Sequence, residues 1–299
     1  MNPGTSNPFR KQIVAILAIL AILYGALAAF SESAKPQHAR LSLIAEHTGL
    51  APGASEWIGV RFELEPGWHI YWINPGDSGE PPKITWHLPN GIQAGDLEFP
   101  APQRIPDHGM MDFGYQGNVV LLSKLTVPSH LASNKLEITA DVRYLVCREV
   151  CVPGKEHLAM PFIVGKEAKA STDAELIRKT IGQLPQSLPA AVHVSATQRQ
   201  GAFVINIASR SRKFELPTDF IPADEQVIEN STKPTVDLGK DMFQLTAKKS
   251  EQLNHAISQL RGLLITQNKA YNVAAPISPV KGASTKATFQ KNQAAKSKE

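Results

Sequence analysis

Cys147 and Cys151 are the residues in this 299-residue sequence with the clearest capacity for chemistry. Three residues separate them, and a fully extended chain would hold their Cα atoms about 13 Å apart, whereas a disulfide needs roughly 4.4–6.8 Å. The segment between them must therefore turn if the two sulfurs are to meet. The loop-forming sequence Val152-Pro153-Gly154 follows directly. Thiols that meet in this way can exchange disulfides, hold a soft metal ion or form a structural crosslink.

The residues alone leave all three interpretations of the pair open. A disulfide that closes so short a loop restrains the unfolded chain little, which favours an exchanging pair over a structural crosslink. Arg143 and Arg148 lie close in the sequence and are candidates for stabilising a thiolate. The alternative function is a copper-handling or client-binding module that uses the same thiols. Cu(I) prefers soft ligands, so its site would consist of Cys147, Cys151 and His157, or of the two thiolates with the cluster His108-Gly109-Met110-Met111.

A long strand is predicted to deliver Cys147. Apolar and polar residues alternate from Leu136 to Val146, and side chains that share a parity share a face of a strand. The face that we expect to point into the core carries Leu136, Ile138, Ala140, Val142, Tyr144 and Val146. Cys147 therefore leaves the sheet on the more polar face, where both thiols are expected to be accessible.

The elements around the pair predict an all-β protein. Short alternating strands with turn signals about every ten residues, between residues 40 and 164, indicate an antiparallel β-sandwich. Ile177, Ile181 and Leu184 share one helical face and predict a linker helix. A second, smaller β-rich domain is expected after it. The predicted divisions are a leader (1–34), a sandwich domain (35–165), a linker helix (166–190), a second β domain (191–280) and a disordered basic tail (281–299).

The first residues predict export. Arg10 and Lys11 precede an almost wholly apolar run at 13–30, and Ala26-Leu27-Ala28 has the small-residue pattern of a cleavage site. The run is at the lower length limit for a membrane span, so residues 13–30 are either a signal peptide or an inner-membrane anchor. Either leader exports the rest of the chain to a compartment that permits disulfides.

Composition and charge exclude several classes of protein. A hydrophobic share of 42% and a charged share of 19% are typical of a globular chain. The net charge of +4 comes from the leader and the lysine-rich tail, and the middle of the chain is slightly negative. We therefore expect no nucleic-acid partner. The sequence shows no glycine-rich phosphate loop and no Ser-His-Asp arrangement, and we expect no cofactor.

Four motifs in one order carry a family resemblance. They are Trp68–Gly79 (WHIYWINPGDSG), Ile84–Pro89 (ITWHLP), Phe113–Gly117 (FGYQG) and Leu145–Gly154 (LVCREVCVPG). Together they resemble the N-terminal periplasmic region of the DsbD/ScsB family of thiol:disulfide interchange proteins. The resemblance is specific over about residues 40–165 and weaker over 190–280.

The resemblance implies an immunoglobulin-like sandwich with Cys147 and Cys151 as its redox pair. Such a domain takes electrons from a thioredoxin-like domain, fed by a transmembrane domain, and reduces disulfides in exported client proteins. The sequence to Glu299 holds no C-x-x-C motif and no such domains. We therefore expect a thioredoxin-like donor and a membrane electron carrier in trans, with this chain as one component of a protein-disulfide reductase. Cytochrome c biogenesis and copper tolerance are the processes that the resemblance implies.

Members of the family also shield the pair with a loop. The candidate cap here is the irregular stretch Pro102–Gly117, with the rings of Phe113 and Tyr115 over the sulfurs. The alternatives are that the loop Asn74–Gly79 is the cap, and that Phe113 and Tyr115 belong to the core.

Overall fold

The computed structural model describes residues 38–165, 168–210, 214–239 and 242–278. The predicted leader (1–34, with the anchor segment 13–30) and the predicted basic tail (281–299) lie outside these residues. Within the four described ranges, no helix is long and apolar enough to cross a membrane.

The first part of the described chain consists of strands. They are β1 (Ala39–Ala45), β2 (Gly49–Leu50), β3 (Ser55–Leu64), β4 (His69–Gly76), β5 (Lys83–His87), β6 (Gln93–Ala94), β7 (Gln103–Asp107), β8 (Met110–Gln116), β9 (Asn118–Thr126), β10 (Lys135–Cys147) and β11 (Cys151–Val164). A four-stranded sheet has the order β1-β3-β9-β6. A seven-stranded sheet has the order β2-β11-β10-β4-β8-β7, with β5 beside β10.

These two sheets face each other across one core. Phe62 of β3 and Leu121 of β9 belong to the same buried cluster as Trp72 of β4, Phe113 of β8 and Tyr144 of β10. Each of these strands alternates between core and outer residues, because successive side chains of a strand point to opposite faces. The predicted β-sandwich is therefore confirmed.

The longest pairing in the sandwich joins β10 and β11. It runs antiparallel without a register shift from Lys135 opposite Ile163 to Cys147 opposite Cys151. The predicted core face of β10 is confirmed, because Val142 and Tyr144 are buried in the core.

The stretch Pro102–Gly117, predicted to be irregular, is a hairpin of β7 and β8. Its turn consists of His108 and Gly109, with φ of 46° and 89°. Two successive residues with positive φ give the backbone twist that suits a two-residue hairpin turn. The stretch is therefore part of the sheet.

The helix expected within residues 166–190 is α1 (Ala174–Gln183). Its buried Ile177 packs against Ile44, Val120 and Leu122 on the outer face of the four-stranded sheet. The apolar side of α1 thus covers a sheet face and does more than connect two segments.

The C-terminal strands form a further sheet around a core of their own. They are β12 (Gln186–Ser187), β13 (Val192–Arg199), β14 (Ala202–Ser209), β15 (Pro217–Pro222), β16 (Thr235–Leu238), β17 (Met242–Lys248), β18 (Gln259–Thr266) and β19 (Ala270–Ser278). The sheet has the order β15-β18-β19-β13-β14-β17-β16, with β12 beside β19. Phe203 of β14 and Phe220 of β15 meet in one buried cluster, so distant strands of this sheet share a core.

The C-terminal sheet packs directly on the sandwich. Ile221 of β15 and Leu263 of β18 belong to the sandwich core cluster. Arg104 of β7 donates to both carboxylate oxygens of Asp219, at 2.7 and 3.1 Å. From His38 onward, the described residues form one compact unit. The division into domains at 35–165 and 191–280 stays a prediction.

We predict that Arg104→Ala destabilises the protein by about 3–5 kcal/mol, because it leaves the carboxylate of Asp219 without its partner in a largely buried place. Urea unfolding of the full chain measures this loss. The control is Arg261→Ala. The side chain of Arg261 is 56% exposed, and the substitution removes its ion pair to Asp224. Exposed pairs contribute about 0–1 kcal/mol, so equal losses in the two variants would contradict the prediction.

Candidate redox site

Cys147 and Cys151 form a disulfide at the end of the β10–β11 hairpin. Their Cα atoms lie 4.1 Å apart. The three residues between them turn, and the Arg148 amide donates to the carbonyl of Val150 at 3.1 Å. The structure therefore provides the turn that the short spacing required.

The two cysteines differ in exposure. Cys147 is 1% exposed, whereas Cys151 is exposed. Cys147 lies between two strands, opposite Cys151 on one side and His69 on the other. The far side of β11 is paired with β2 only at Ile163 and Val164, so that side is open at Cys151. The expectation that both sulfurs are accessible is thus wrong for Cys147.

The phenol of Tyr71 contacts the exposed sulfur. Its Oη lies 3.8 Å from Sγ of Cys151, and because a disulfide sulfur carries no hydrogen, Tyr71 is the donor. Burial, followed by the nearby Asp112 carboxylate, raises the pKa of Tyr71. Tyr71 therefore keeps its proton at neutral pH and remains available as a donor to sulfur.

A buried carboxylate organises the polar groups behind Tyr71. Asp112 is fully buried and accepts hydrogen bonds from the amide and the hydroxyl of Ser78, at 3.1 and 3.0 Å. The Ser78 hydroxyl in turn lies 3.5 Å from Oη of Tyr71. His69 packs edge-on against Tyr71 with ring centroids 5.1 Å apart, and its Nε2 lies 3.4 Å from Asp112.

The loop that carries Ser78 lies on the ring of Tyr71. Gly79 has a φ of 81°, and a Cβ atom there would be 2.1 Å from the ring of Tyr71. Glycine is needed for both reasons, since a side chain would strain the backbone and displace the phenol.

His69, Tyr71, Ser78 and Asp112 were not predicted as functional residues. Their side chains come from two segments that are separate in the sequence, residues 69–78 and the strand that carries Asp112, and only the fold brings these together. A signal for Tyr71 was present, because Ile70 and Trp72 are core residues and Tyr71 must face the opposite side of β4. The same parity places His69 on the outer face.

The predicted cap is wrong in its residues. Phe113 is fully buried and Tyr115 is 5% exposed, and both belong to the sandwich core. The hydroxyl of Tyr115 donates to the carbonyl of Pro100 at 2.7 Å. On β8 these rings face inward, because Asp112 and Gly114 occupy the outer face. The alternative loop, Asn74–Gly79, is the one that lies against Tyr71.

Of the two predicted thiolate-stabilising arginines, Arg148 lies in the turn between the cysteines and Arg143 precedes them on β10. The guanidinium of Arg148 stands 5.4 Å above the ring of Trp68. Arg143 is paired with Lys155 and Lys83 in the sheet, four residues before Cys147. At about 3.3 Å per residue, this places its Cα about 13 Å away. Stabilisation of a thiolate by these arginines stays a prediction.

His157 is too far along β11 to complete a copper site. It follows Cys151 by six residues, about 20 Å along an extended strand. Its Nδ1 instead lies 2.8 Å from Asp141, whose carboxylate also binds His87 at 2.8 Å. These two hydrogen bonds lower the pKa of Asp141 to about 2. The proposed ligands Cys147, Cys151 and His157 therefore do not meet. In the described part of the chain, no group of three or more His, Cys, Asp or Glu side chains is arranged to hold a metal ion.

The family comparison agrees with this geometry. Residues 42–162 match the family described as thiol:disulfide interchange protein DsbD, N-terminal. This segment is a DsbD N-terminal domain. The predicted resemblance to the DsbD/ScsB family is thereby confirmed for the sandwich that carries the cysteine pair.

A solved structure resembles the chain over more than the DsbD N-terminal domain. The N-terminal periplasmic domain of ScsB from Proteus mirabilis matches with a TM-score of 0.59 and 18% identity, over 81% of this chain and 94% of that one. This match confirms the immunoglobulin-like fold and is too long to be confined to residues 42–162. The major pilin subunit BcpA of Bacillus cereus matches with a TM-score of only 0.28 and 10% identity, over 74% of this chain and 69% of that one. No curated protein matches the sequence significantly.

We predict that Phe113→Ala costs about 3–5 kcal/mol of stability, because it opens a cavity in the core. The rate at which dithiothreitol reduces the disulfide should stay unchanged, since Phe113 faces away from the sulfurs. Urea unfolding and the reduction kinetics of the full chain measure the two effects. The control is Val150→Ala, at a side chain that is 64% exposed in the disulfide turn, where the stability change should be within about 0.5 kcal/mol. Faster reduction of the Phe113 variant with unchanged stability would restore Phe113 as a cap.

Proposed function

We propose that the DsbD N-terminal domain of this chain exchanges disulfides through Cys147 and Cys151 in the periplasm. It receives electrons from a thioredoxin-like donor, supplied by a membrane electron carrier, and passes them to exported client proteins. The observation that carries the proposal is the difference between the two sulfurs. Cys151 is exposed and has the Tyr71 hydroxyl 3.8 Å from its sulfur, whereas Cys147 is 1% exposed.

Reduction of the pair begins at the exposed sulfur. A donor thiolate attacks Sγ of Cys151, the bond between the two cysteines breaks, and Cys147 leaves as a thiolate. The donor and Cys151 are then joined in a mixed disulfide. A second thiolate of the donor attacks the donor's own sulfur in that bond and releases Cys151, so two electrons have entered the pair and the donor is left with a disulfide.

Transfer to a client uses the same sulfurs in the reverse order. The Cys151 thiolate attacks a client disulfide and forms a mixed disulfide, while the second client sulfur leaves as a thiolate. Cys147 then attacks Cys151, which restores the disulfide and releases the reduced client. The Cα atoms of Cys147 and Cys151 lie 4.1 Å apart. Cys147 is therefore in place for this step without movement of the strands.

Tyr71 supports the thiolate state of Cys151 in this scheme. A hydroxyl that donates to a sulfur favours the charged form, since hydrogen bonds to charged groups are stronger than those to neutral ones. The Ser78 hydroxyl is occupied by Asp112, to which it donates at 3.0 Å. Ser78 therefore does not compete with Tyr71 as a donor to the sulfur.

The reaction order is tested with single cysteine variants. We predict that reduced Cys147→Ala forms a mixed disulfide with oxidised glutathione about tenfold or more faster than Cys151→Ala, because access controls the rate of exchange. Mass spectrometry of the quenched reaction measures both rates. Equal rates would contradict the assignment of Cys151 as the attacked sulfur.

Equilibration of the native pair in glutathione buffers tests the function itself. A reduction potential above about −300 mV is expected for an exchanging pair, and a lower value would indicate a structural crosslink.

We predict that Tyr71→Phe raises the pKa of the Cys151 thiol by about 1, because it removes a hydrogen bond to a charged sulfur. The pH dependence of Cys151 alkylation by iodoacetamide in the reduced protein measures this pKa. Tyr115→Phe is the matched control, since it removes the same hydroxyl from a ring that faces the core. A similar shift in both variants would show that the effect is not specific to the site.

A further inference from the structure

The loop Asn74–Gly79 is fixed at its beginning by the C-terminal sheet. Asn74 is fully buried, and its Nδ2 donates to the carbonyl of Pro222 at 2.8 Å and to that of Asp224 at 3.3 Å. Its Oδ1 accepts from the amide of Gly76 at 3.0 Å. One side chain thus shapes the turn and attaches it to the end of β15.

A second attachment lies in the middle of the loop. Nδ2 of Asn230 donates to Oδ1 of Asp77 at 2.8 Å. The other carboxylate oxygen of Asp77 accepts from the amide of Met111 at 2.8 Å, one residue before Asp112. Asp77 therefore links the segment after β15 to the strand that carries the buried carboxylate of the redox site.

Between these attachments the loop and the C-terminal segment are not closely packed. A polar cavity of about 250 Å³ separates Pro75–Gly79 from Glu225–Asn230. Asn230 lines this cavity. Together with Asn74 it supplies side-chain hydrogen bonds that join the loop to the C-terminal segment.

We propose that the C-terminal sheet positions the redox loop through Asn74 and Asn230, and thereby holds the Tyr71 hydroxyl at Cys151. The inference rests on the proposed function and assigns the C-terminal sheet a part in it. Asn74 and Asn230 are positioning residues, since neither contacts a sulfur.

The path from these residues to the sulfur is short. Ser78 follows Asp77 and binds Asp112 through both its amide and its hydroxyl. Gly79 lies on the ring of Tyr71. When the loop is released from the C-terminal sheet, it no longer holds the ring of Tyr71 in place. The Tyr71 hydroxyl then spends less time as a donor to Cys151.

The experiment compares Asn74→Ala and Asn230→Ala in the full chain. Each should raise the pKa of the Cys151 thiol by about 0.5 or more, toward the value in Tyr71→Phe, as measured by the pH dependence of alkylation. Neither should raise it further when combined with Tyr71→Phe, because the same hydrogen bond is already lost. The control is Asn272→Ala, which removes an amide donor to the carbonyl of Pro185 elsewhere in the fold, and it should leave this pKa unchanged.

Two outcomes would overturn the proposal. One is an unchanged thiol pKa in both asparagine variants, and the other is a shift that adds fully to that of Tyr71→Phe. If Asn74→Ala fails to fold, Asn230→Ala decides, because it leaves Asn74 and the turn intact. Alkylation needs no protein partner, so the result stands apart from the glutathione equilibrium that tests the proposed function.

Discussion

The pairing of β10 with β11 is the constraint on which the redox site depends. Because the two strands are in register along their whole length, Cys147 and Cys151 end up opposite each other. Period-2 alternation then places Tyr144 and Val146 in the core and the disulfide on the other face. The position of β10 inside the sheet, with β11 open at its first residues, makes one sulfur buried and the other exposed.

Two buried polar atoms near the redox site lack a well-formed hydrogen bond. Nε2 of His69 is buried with the Asp112 carboxylate 3.4 Å away but no well-formed hydrogen bond, and Oδ1 of Asn230 is buried without a hydrogen bond from any described residue. Buried polar groups are normally paired, and exceptions concentrate where a protein needs a particular geometry rather than the greatest stability. Both atoms belong to residues around the loop that carries Ser78, one beneath Tyr71 and one at Asp77.

The sequence was sufficient for the features that depend on local periodicity. The alternation before Cys147 predicted the core face of β10, and the short spacing of the cysteines required a turn. It was insufficient where segments distant in the chain converge. Nothing local shows that Asp112 and Ser78 meet at Tyr71. The sequence also leaves Phe113 and Tyr115 open between a cap and the core, because it does not show which face of β8 points inward. The distance of His157, in contrast, follows from counting residues along β11.

The uninterrupted hairpin has a consequence for the energetics of electron transfer. Thirteen residue pairs join β10 and β11, and the cysteines are only the last of them. The backbone pairing of the other twelve pairs and the burial of the inner face of β10 do not depend on the bond between the sulfurs. We therefore expect the oxidised and reduced proteins to share one framework, with structural reorganisation confined to the three-residue turn. In the proposed exchange, a domain built in this way would change redox state repeatedly without unfolding and refolding its own sheet.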